Sequence, residues 1–113
     1  MVHAIYLGSM GESETNDNLL WWASEYSFNR AIDDAIELGY LPPDYSRFKE
    51  EAALYKGLPG ARDEPDLLDA INRIANSTPR RLQSETDEYY DHYVKQLSEY
   101  RPIYAEYRRI WRK

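Results

Sequence analysis

The last third of the chain carries a stripe of aromatic residues at helical spacing. Between Thr78 and Lys113, apolar and aromatic side chains recur, and from Tyr89 onward the steps alternate between three and four residues. That period belongs to one face of a helix. The members of this tyrosine stripe are Leu82, Tyr89, Tyr93, Leu97, Tyr100, Tyr104, Tyr107 and Trp111. The stripe predicts one long C-terminal helix, which would be the spine of an all-α domain.

The start and the straightness of this helix are each open to two interpretations. Thr78-Pro79 is a good start, because threonine caps free N–H groups and proline at the first helical position gives up a donor that has no partner there. Ser84 offers a second start, one turn later. Pro102 lies inside the pattern and predicts a kink, with the proline on the solvent side, opposite Tyr93. The alternative is a break into two helices at Arg101.

The stripe also has an unusual chemistry, since most of its members are tyrosine rather than leucine, isoleucine or valine. Tyrosine rings bury well, but their hydroxyls need a hydrogen-bond partner. The simpler interpretation is that the rings cover a small core of the same chain. Tyrosine is also enriched at protein interfaces, so the alternative is a self-associating helical protein, a homodimer built on the stripe or on strand pairing by residues 2–7.

Length and composition limit the class of protein. At 113 residues the chain is expected to form a single domain, residues 1–113. Cysteine is absent, which excludes a disulfide framework and thiolate chemistry. The first ten residues do not resemble a secretory signal and no apolar run could span a membrane, so we expect a cytoplasmic protein. A net charge of −6 disfavours non-specific binding to nucleic acid or to an anionic membrane.

The first two thirds of the chain predict three further helices and one extended segment. Residues 2–7 are expected to form a short strand or extended segment that packs on the helices. Helix one should cover about residues 17–38 and stop at Gly39, and helix two about residues 44–56. Helix three should begin with Pro65 at its first position. The expected fold is therefore a small four-helix domain with an extended N-terminal segment.

The first half of predicted helix one is apolar on all sides, which is typical of a helix that is covered on all sides. The simplest cover is residues 2–7, lying over Trp22 and Tyr26. The alternative is an exposed aromatic patch for a partner, rimmed by Asp33 and Glu37.

Catalytic and metal-binding patterns are weak. Glu88 and His92 are four residues apart, but a di-metal helical bundle needs a second such pair, and the sequence has none. The only other histidine is His3, and there is neither a nucleophile elbow nor a phosphate-binding loop. We therefore expect no enzyme activity, no cofactor and no metal.

Two opposite surface charges suggest binding partners. Arg101, Arg108 and Arg112 lie along one flank of the last helix beside aromatic rings, an arrangement that can bind nucleic acid, although the acidic chain opposes it. Residues 1–78 hold 14 acidic and only 6 basic residues. Displayed carboxylates can imitate a phosphate backbone or attract a basic protein.

The preferred interpretation is a non-enzymatic protein-binding module. It would be an inhibitor or adaptor whose acidic helical face docks on a basic surface of a larger protein, for example a nucleic-acid-binding one. Phage inhibitors of host defence, antitoxins and immunity proteins have similar size and charge. The predicted partner-binding residues are Asp33, Asp34, Glu37, Glu50 and Glu51, with Trp22 and Tyr26 as aromatic anchors.

Overall fold

A computed structural model of the chain describes residues 2–7, 19–49, 57–58, 65–77 and 79–111. The domain is mainly helical and has an extended N-terminal segment, as predicted. The described elements in chain order are strand β1 (Val2–Tyr6), strand β2 (Leu20–Ser24), helix α1 (Glu25–Glu37), a 3-10 turn (Pro43–Ser46), strand β3 (Gly57–Leu58), helix α2 (Pro65–Ala75) and helix α3 (Asp87–Trp111).

Helix α3 is the predicted spine, but it begins later than the Thr78-Pro79 start. Pro79 and the residues after it are not helical, and the first helical residue is Asp87. The hydroxyl oxygen of Thr86 accepts a hydrogen bond from the backbone N–H of Tyr89 at 3.3 Å, which caps the first turn. The Thr78-Pro79 prediction is therefore wrong, because Thr86 is the capping residue and the segment before it is non-helical, with Arg80 and Glu85 bound to Arg30 of helix α1.

Helix α3 continues without a break through Pro102. The alternative of two helices divided at Arg101 is therefore wrong. Pro102 is exposed and Tyr93 is buried, so the proline lies on the solvent side of the helix, as predicted. On that side the hydrogen bond that proline cannot donate leaves the carbonyl of Ser98 open to water.

The tyrosine stripe faces the core of its own chain. Tyr93, Leu97, Tyr100, Tyr104 and Tyr107 are all buried. The hydroxyl of Tyr100 donates to the carbonyl oxygen of Leu68 in α2 at 2.8 Å, and its ring meets the ring of Trp21 edge-on at 4.9 Å between centroids. The core interpretation is confirmed, and the stripe is not available as a dimer surface.

Strand β1 is the central strand of a small three-stranded sheet of order β2-β1-β3. It pairs antiparallel with β2, with Val2 opposite Ser24 and Tyr6 opposite Leu20, and parallel with β3, with Ala4 opposite Gly57. Strand β1 is therefore paired inside the chain along its whole β2 edge and, on the other edge, at Ala4 and Ile5.

The predicted first helix is in fact a strand followed by a shorter helix. Residues 20–24 pair with β1, and burial alternates along them, so that Trp21 and Ala23 are buried while Trp22 is exposed. The side chain of Ser24 accepts a hydrogen bond from the backbone N–H of Ser27 at 3.1 Å and caps α1. The start near residue 17 is therefore wrong, because pairing with the distant β1 outweighs local helix preference.

Helix α1 ends where the sequence predicts. Gly39 adopts a φ of 80°, a left-handed conformation that favours glycine. The backbone N–H of Tyr40 donates to the carbonyl of Ala35 at 2.8 Å, and that of Gly39 donates to Ile36 at 3.1 Å. These two bonds form a Schellman motif, which satisfies the last carbonyls of the helix.

The outer edge of β2 is covered by the side chain of Gln96 from α3. In the antiparallel register, residues 22 and 24 direct their backbone groups away from β1. The Gln96 amide donates to the carbonyl of Trp22 at 3.0 Å and accepts from the N–H of Ser24 at 2.6 Å. The indole N–H of Trp21 donates to the backbone carbonyl of Gln96 at 2.9 Å. One residue therefore fixes β2 against α3.

The middle of the chain is described in part. Helical backbone follows the 3-10 turn over residues 47–49, and the rest of predicted helix two, residues 50–56, lies outside the described residues. Helix α2 begins at Pro65, as predicted. Among the described residues, no helix combines the length and the apolar character needed to cross a membrane.

Replacement of Tyr100 should separate a core role from an interface role. We expect Tyr100→Ala to lower the free energy of unfolding by about 3–5 kcal/mol, as for other large aromatic residues removed from cores. Tyr100→Phe, which loses only the hydroxyl bond to Leu68, should cost about 1 kcal/mol. Urea denaturation measures both, with the exposed Tyr89→Ala as control. A shift of oligomeric state without loss of stability would contradict the core assignment.

Candidate functional site

The predicted acidic docking face is only partly exposed. Asp33 and Glu37 are exposed on α1, and Asp33 forms an ion pair with Lys49 at 2.7 Å. Asp34 is fully buried, so its predicted contact with a partner is wrong. Glu50 and Glu51 lie outside the described residues.

Asp34 is buried because it binds positive charge inside the domain. The guanidinium of Arg30, one helical turn earlier, donates to Asp34 Oδ1 at 2.7 Å. The hydroxyl of Tyr93 donates to Asp34 Oδ2 at 2.9 Å, and Arg80 donates to Oδ1 at 3.2 Å. A carboxylate with three donors is fully compensated for its loss of water.

Glu85 is the second carboxylate of the same buried charge network, which we define as Arg30, Asp34 and Glu85 with Tyr26, Tyr93 and Arg80. Arg30 donates from Nε to Glu85 Oε2 at 2.8 Å and from Nη2 to Oε1 at 3.2 Å. The hydroxyl of Tyr26 also donates to Glu85. Two guanidinium groups thus balance two carboxylates, and the network ties residues 80–85 to helix α1.

The network holds its groups in fixed ionisation states. Burial raises the pKa of Glu85, but hydrogen bonds from Arg30, Tyr26 and the backbone of Leu82 outweigh it and keep that pKa below its ordinary value. Burial and the neighbouring Asp34 charge both raise the pKa of Tyr93, whose hydroxyl therefore stays protonated. The arrangement stabilises the fold and leaves no group of the network free to accept a ligand.

A groove opens beside the network, between the start of α1 and the first turns of α3. It has a volume of about 480 Å³ and we call it the aromatic groove. Its lining residues are Ser24, Glu25, Tyr26, Asn29, Tyr89 and His92. The rings of Tyr26 and Tyr89 lie 5.0 Å apart between centroids at 46°, and they form one wall. The Oδ1 atom of Asn29 is buried and has no hydrogen-bond partner among the described residues.

Trp22 lies on the same strand as Ser24, a lining residue of the aromatic groove. In a strand, side chains two residues apart share a face and lie about 7 Å apart, so Trp22 and Ser24 project on the same side of β2. Trp22 is 59% exposed and Tyr89 is 54% exposed. The prediction that residues 2–7 cover Trp22 is wrong, because β1 pairs with β2 edge to edge. The exposure required by the alternative, an aromatic patch, is present.

His92 contacts the aromatic groove rather than a metal-binding cluster. It is exposed, and its Nε2 lies 2.9 Å from the hydroxyl of Ser24, the residue that caps α1. Among the described residues, no group of three or more histidine, aspartate and glutamate side chains is arranged to hold a metal ion. The contact helps to fix the groove, because it joins α3 to the junction of β2 and α1.

The arginine flank of α3 is partly described. Arg101 and Arg108 are exposed, and Arg108 lies near the hydroxyl of Tyr104 at 3.5 Å. Arg112 lies outside the described residues. Arg101 lines a second groove of about 540 Å³ that also contains Asp91, an opposite charge. Nucleic-acid binding by this flank stays a prediction.

Sequence reasoning missed four residues of the aromatic groove: Ser24, Glu25, Asn29 and Tyr89. The helical period places Tyr89 in the buried stripe. Tyr89 is, however, the first aromatic residue of α3 and lies one turn before Tyr93, the first buried ring. Ser24 followed by Ser27 is a helix-cap signal that places the start of α1 after the paired tryptophans. The partnerless oxygen of Asn29 has no sequence signal.

Glu85→Gln should change how stability depends on pH. The pKa of Glu85 in the folded protein lies below its ordinary value of 4.5, so its ionised form stabilises the fold above about pH 4.5, and that contribution is lost as the pH falls further. We expect the variant to lose about 3 kcal/mol at neutral pH, as when a buried ion pair is broken, and to lose less than the natural chain on acidification.

The measurement is urea denaturation at several values between about pH 7 and pH 3, with Glu88→Gln as the matched control, since Glu88 is an exposed carboxylate three residues later, in the first turn of α3. Parallel stability profiles for the natural chain and Glu85→Gln would contradict the assignment.

The aromatic groove thus combines exposed rings, a carboxylate and an amide oxygen on a base that is fixed by the buried charge network. Neither a family model, nor a curated protein, nor a solved structure matches this chain. Its function is therefore inferred from the geometry and charge of the groove.

Proposed function

We propose that this protein is a small acidic, non-enzymatic protein-binding module, an inhibitor or adaptor that docks on a basic surface of a larger protein. The observation that carries the proposal is the exposure of Trp22. Its neighbour Trp21 is fully buried, whereas Trp22 presents 59% of its surface to solvent, and Tyr89 of α3 is also exposed. Exposed tryptophan and tyrosine side chains that lie together are typical of the energetic centres of protein interfaces.

The base on which Trp22 stands is rigid. Strand β2 pairs with β1 on one edge and binds the Gln96 side chain on the other. Tyr26 is fixed by its hydroxyl bond to the buried Glu85. A preformed aromatic surface loses little conformational entropy when it binds, so more of the contact energy appears as affinity.

The charge around the aromatic groove favours a basic partner. Glu25 lines the groove. Asp33 and Glu37 follow Tyr26 at seven and eleven residues, which places them within about 20° of it on the surface of α1. The chain as a whole carries a net charge of −6. Such a field accelerates association with a basic surface and repels nucleic acid, as expected of an inhibitor that occupies a nucleic-acid-binding groove. A cytoplasmic location stays a prediction.

Removal of the exposed rings should abolish partner capture without loss of stability. We expect Trp22→Ala and Tyr89→Ala each to weaken binding at least about tenfold, because truncation of an aromatic interface residue commonly costs more than 1.4 kcal/mol. The measurement is affinity capture from a lysate of the cells in which the protein naturally occurs, followed by quantitative mass spectrometry. Leu38→Ala is the matched control, since Leu38 is 48% exposed at the opposite end of α1. Equal capture by all variants would contradict the proposal.

Charge reversal should distinguish the exposed acids from the buried one. Glu37→Lys should weaken capture and make it less sensitive to salt, with an unchanged melting temperature, because Glu37 is exposed. Asp34→Lys should instead unfold the domain, because it would place two cations side by side in the buried charge network. Thermal denaturation and capture at two salt concentrations measure both effects. If Glu37→Lys captured as much of the partner as the natural chain does, Glu37 would not belong to the docking surface.

A further inference from the structure

Arginine side chains cover half of the partly exposed aromatic rings of this chain. Among the described residues, six aromatic rings are half-buried or exposed. Three of them have an arginine guanidinium of the same chain over the ring. The three pairs are Tyr40 with Arg73 at 3.9 Å, Tyr45 with Arg47 at 5.4 Å and Tyr90 with Arg81 at 5.8 Å, each measured from the guanidinium carbon to the ring centroid.

The other three rings have no such cover, and all three belong to one surface. They are Tyr26 and Tyr89, which form the wall of the aromatic groove, and Trp22, which lies two residues before the lining residue Ser24 on the same face of β2. In the described part of the chain, no arginine or lysine lies over any of them. The uncovered rings are therefore gathered at one place and not scattered over the surface.

The groove also presents an acceptor that a guanidinium group requires. Glu25 lines the groove and supplies a carboxylate. A planar group with five N–H donors can stack on a tyrosine ring while it donates to that carboxylate.

We infer that the aromatic groove is a receptor for an arginine side chain of the partner protein. This inference rests on the proposed function and names the chemistry of its docking site. The partner's guanidinium stacks on the Tyr26 and Tyr89 wall, donates to Glu25, and has Trp22 over its aliphatic stem. The partner's guanidinium lies over these rings in the way that Arg73, Arg47 and Arg81 lie over the rings of Tyr40, Tyr45 and Tyr90.

The neighbouring charges permit a cation at this place. The nearest positive charge, Arg30, is buried and neutralised by Asp34 and Glu85. A lysine ammonium carries the same charge but lacks the planar fork, so it should bind less well. An anion would meet the carboxylate of Glu25 and find no unpaired cation among the lining residues.

The test uses the full chain and N-acetylarginine methylamide as the probe, with the citrulline and lysine analogues as matched controls. Citrulline has nearly the same shape as arginine but no charge. Binding is followed by the shift of the indole N–H signal of Trp22 and the ring signals of Tyr89 in nuclear magnetic resonance spectra. We expect saturable shifts with arginine, binding weaker by about threefold with lysine, and binding weaker by at least about tenfold with citrulline.

Variants locate the site. Tyr89→Leu and Glu25→Gln should each weaken arginine binding by about threefold or more, the effect of one exposed cation–π contact or one charged hydrogen bond. Tyr40→Leu is the control, because that ring already has Arg73 over it and lies outside the groove. Equal binding of citrulline and arginine, or unchanged binding by both groove variants, would overturn the inference.

The two proposals fail in different ways. If partner capture depends on Trp22 but the arginine probe does not bind, the guanidinium receptor is wrong and the protein-binding function stands. If the probe binds and capture does not depend on Trp22, the receptor stands and the docking function is wrong.

Discussion

The geometry of this domain depends on one buried guanidinium group. Arg30 binds Asp34 in its own helix, Glu85 in the segment before α3 and the carbonyl of Arg80. A buried cation of this kind must be paired, and loss of one partner typically costs about 3–5 kcal/mol. The network therefore allows only a narrow range of positions for α1 relative to residues 80–85. Because Tyr26 bonds to Glu85, the wall of the aromatic groove is built directly on this network.

The tyrosine stripe acts in the same way on the other side of the domain. Its rings fill the core, and its hydroxyls bond to groups of neighbouring helices, as Tyr100 does with Leu68 and Tyr104 with Asp69. Such bonds fix the position of each helix more narrowly than apolar contacts alone, since a misplaced hydroxyl would be buried without a partner. The five members of the stripe from Tyr93 to Tyr107 are buried, and among the members whose side chains the structure describes Tyr89 is the exposed one.

Local patterns predicted the parts of the structure that local forces decide. The period of the stripe, the stop at Gly39 and the start at Pro65 each depend on neighbouring residues, and the structure confirms all three. Residues 20–24 fit a helix or a strand equally well, and only pairing with β1 decides between them. Asp34 resembles its neighbour Asp33 in the sequence, and its burial depends on donors from Tyr93 and Arg80, which are far away in the chain. The candidate site was mispredicted for the same reason, because its residues meet only through these long-range contacts.

The two adjacent tryptophans lie on opposite faces of strand β2, so that one is buried and the other is exposed. Trp21 faces inward, where its ring meets Tyr100 and its indole N–H donates to the Gln96 carbonyl. Trp22 faces outward on the same rigid strand, and the Gln96 side chain occupies the backbone groups beside it. A partner that approaches β2 therefore meets covered backbone and exposed rings. Since strand addition needs free backbone groups, contact through side chains is the mode that this surface favours. Under the proposed function, a side chain that binds rings and a carboxylate together is the element that the partner supplies.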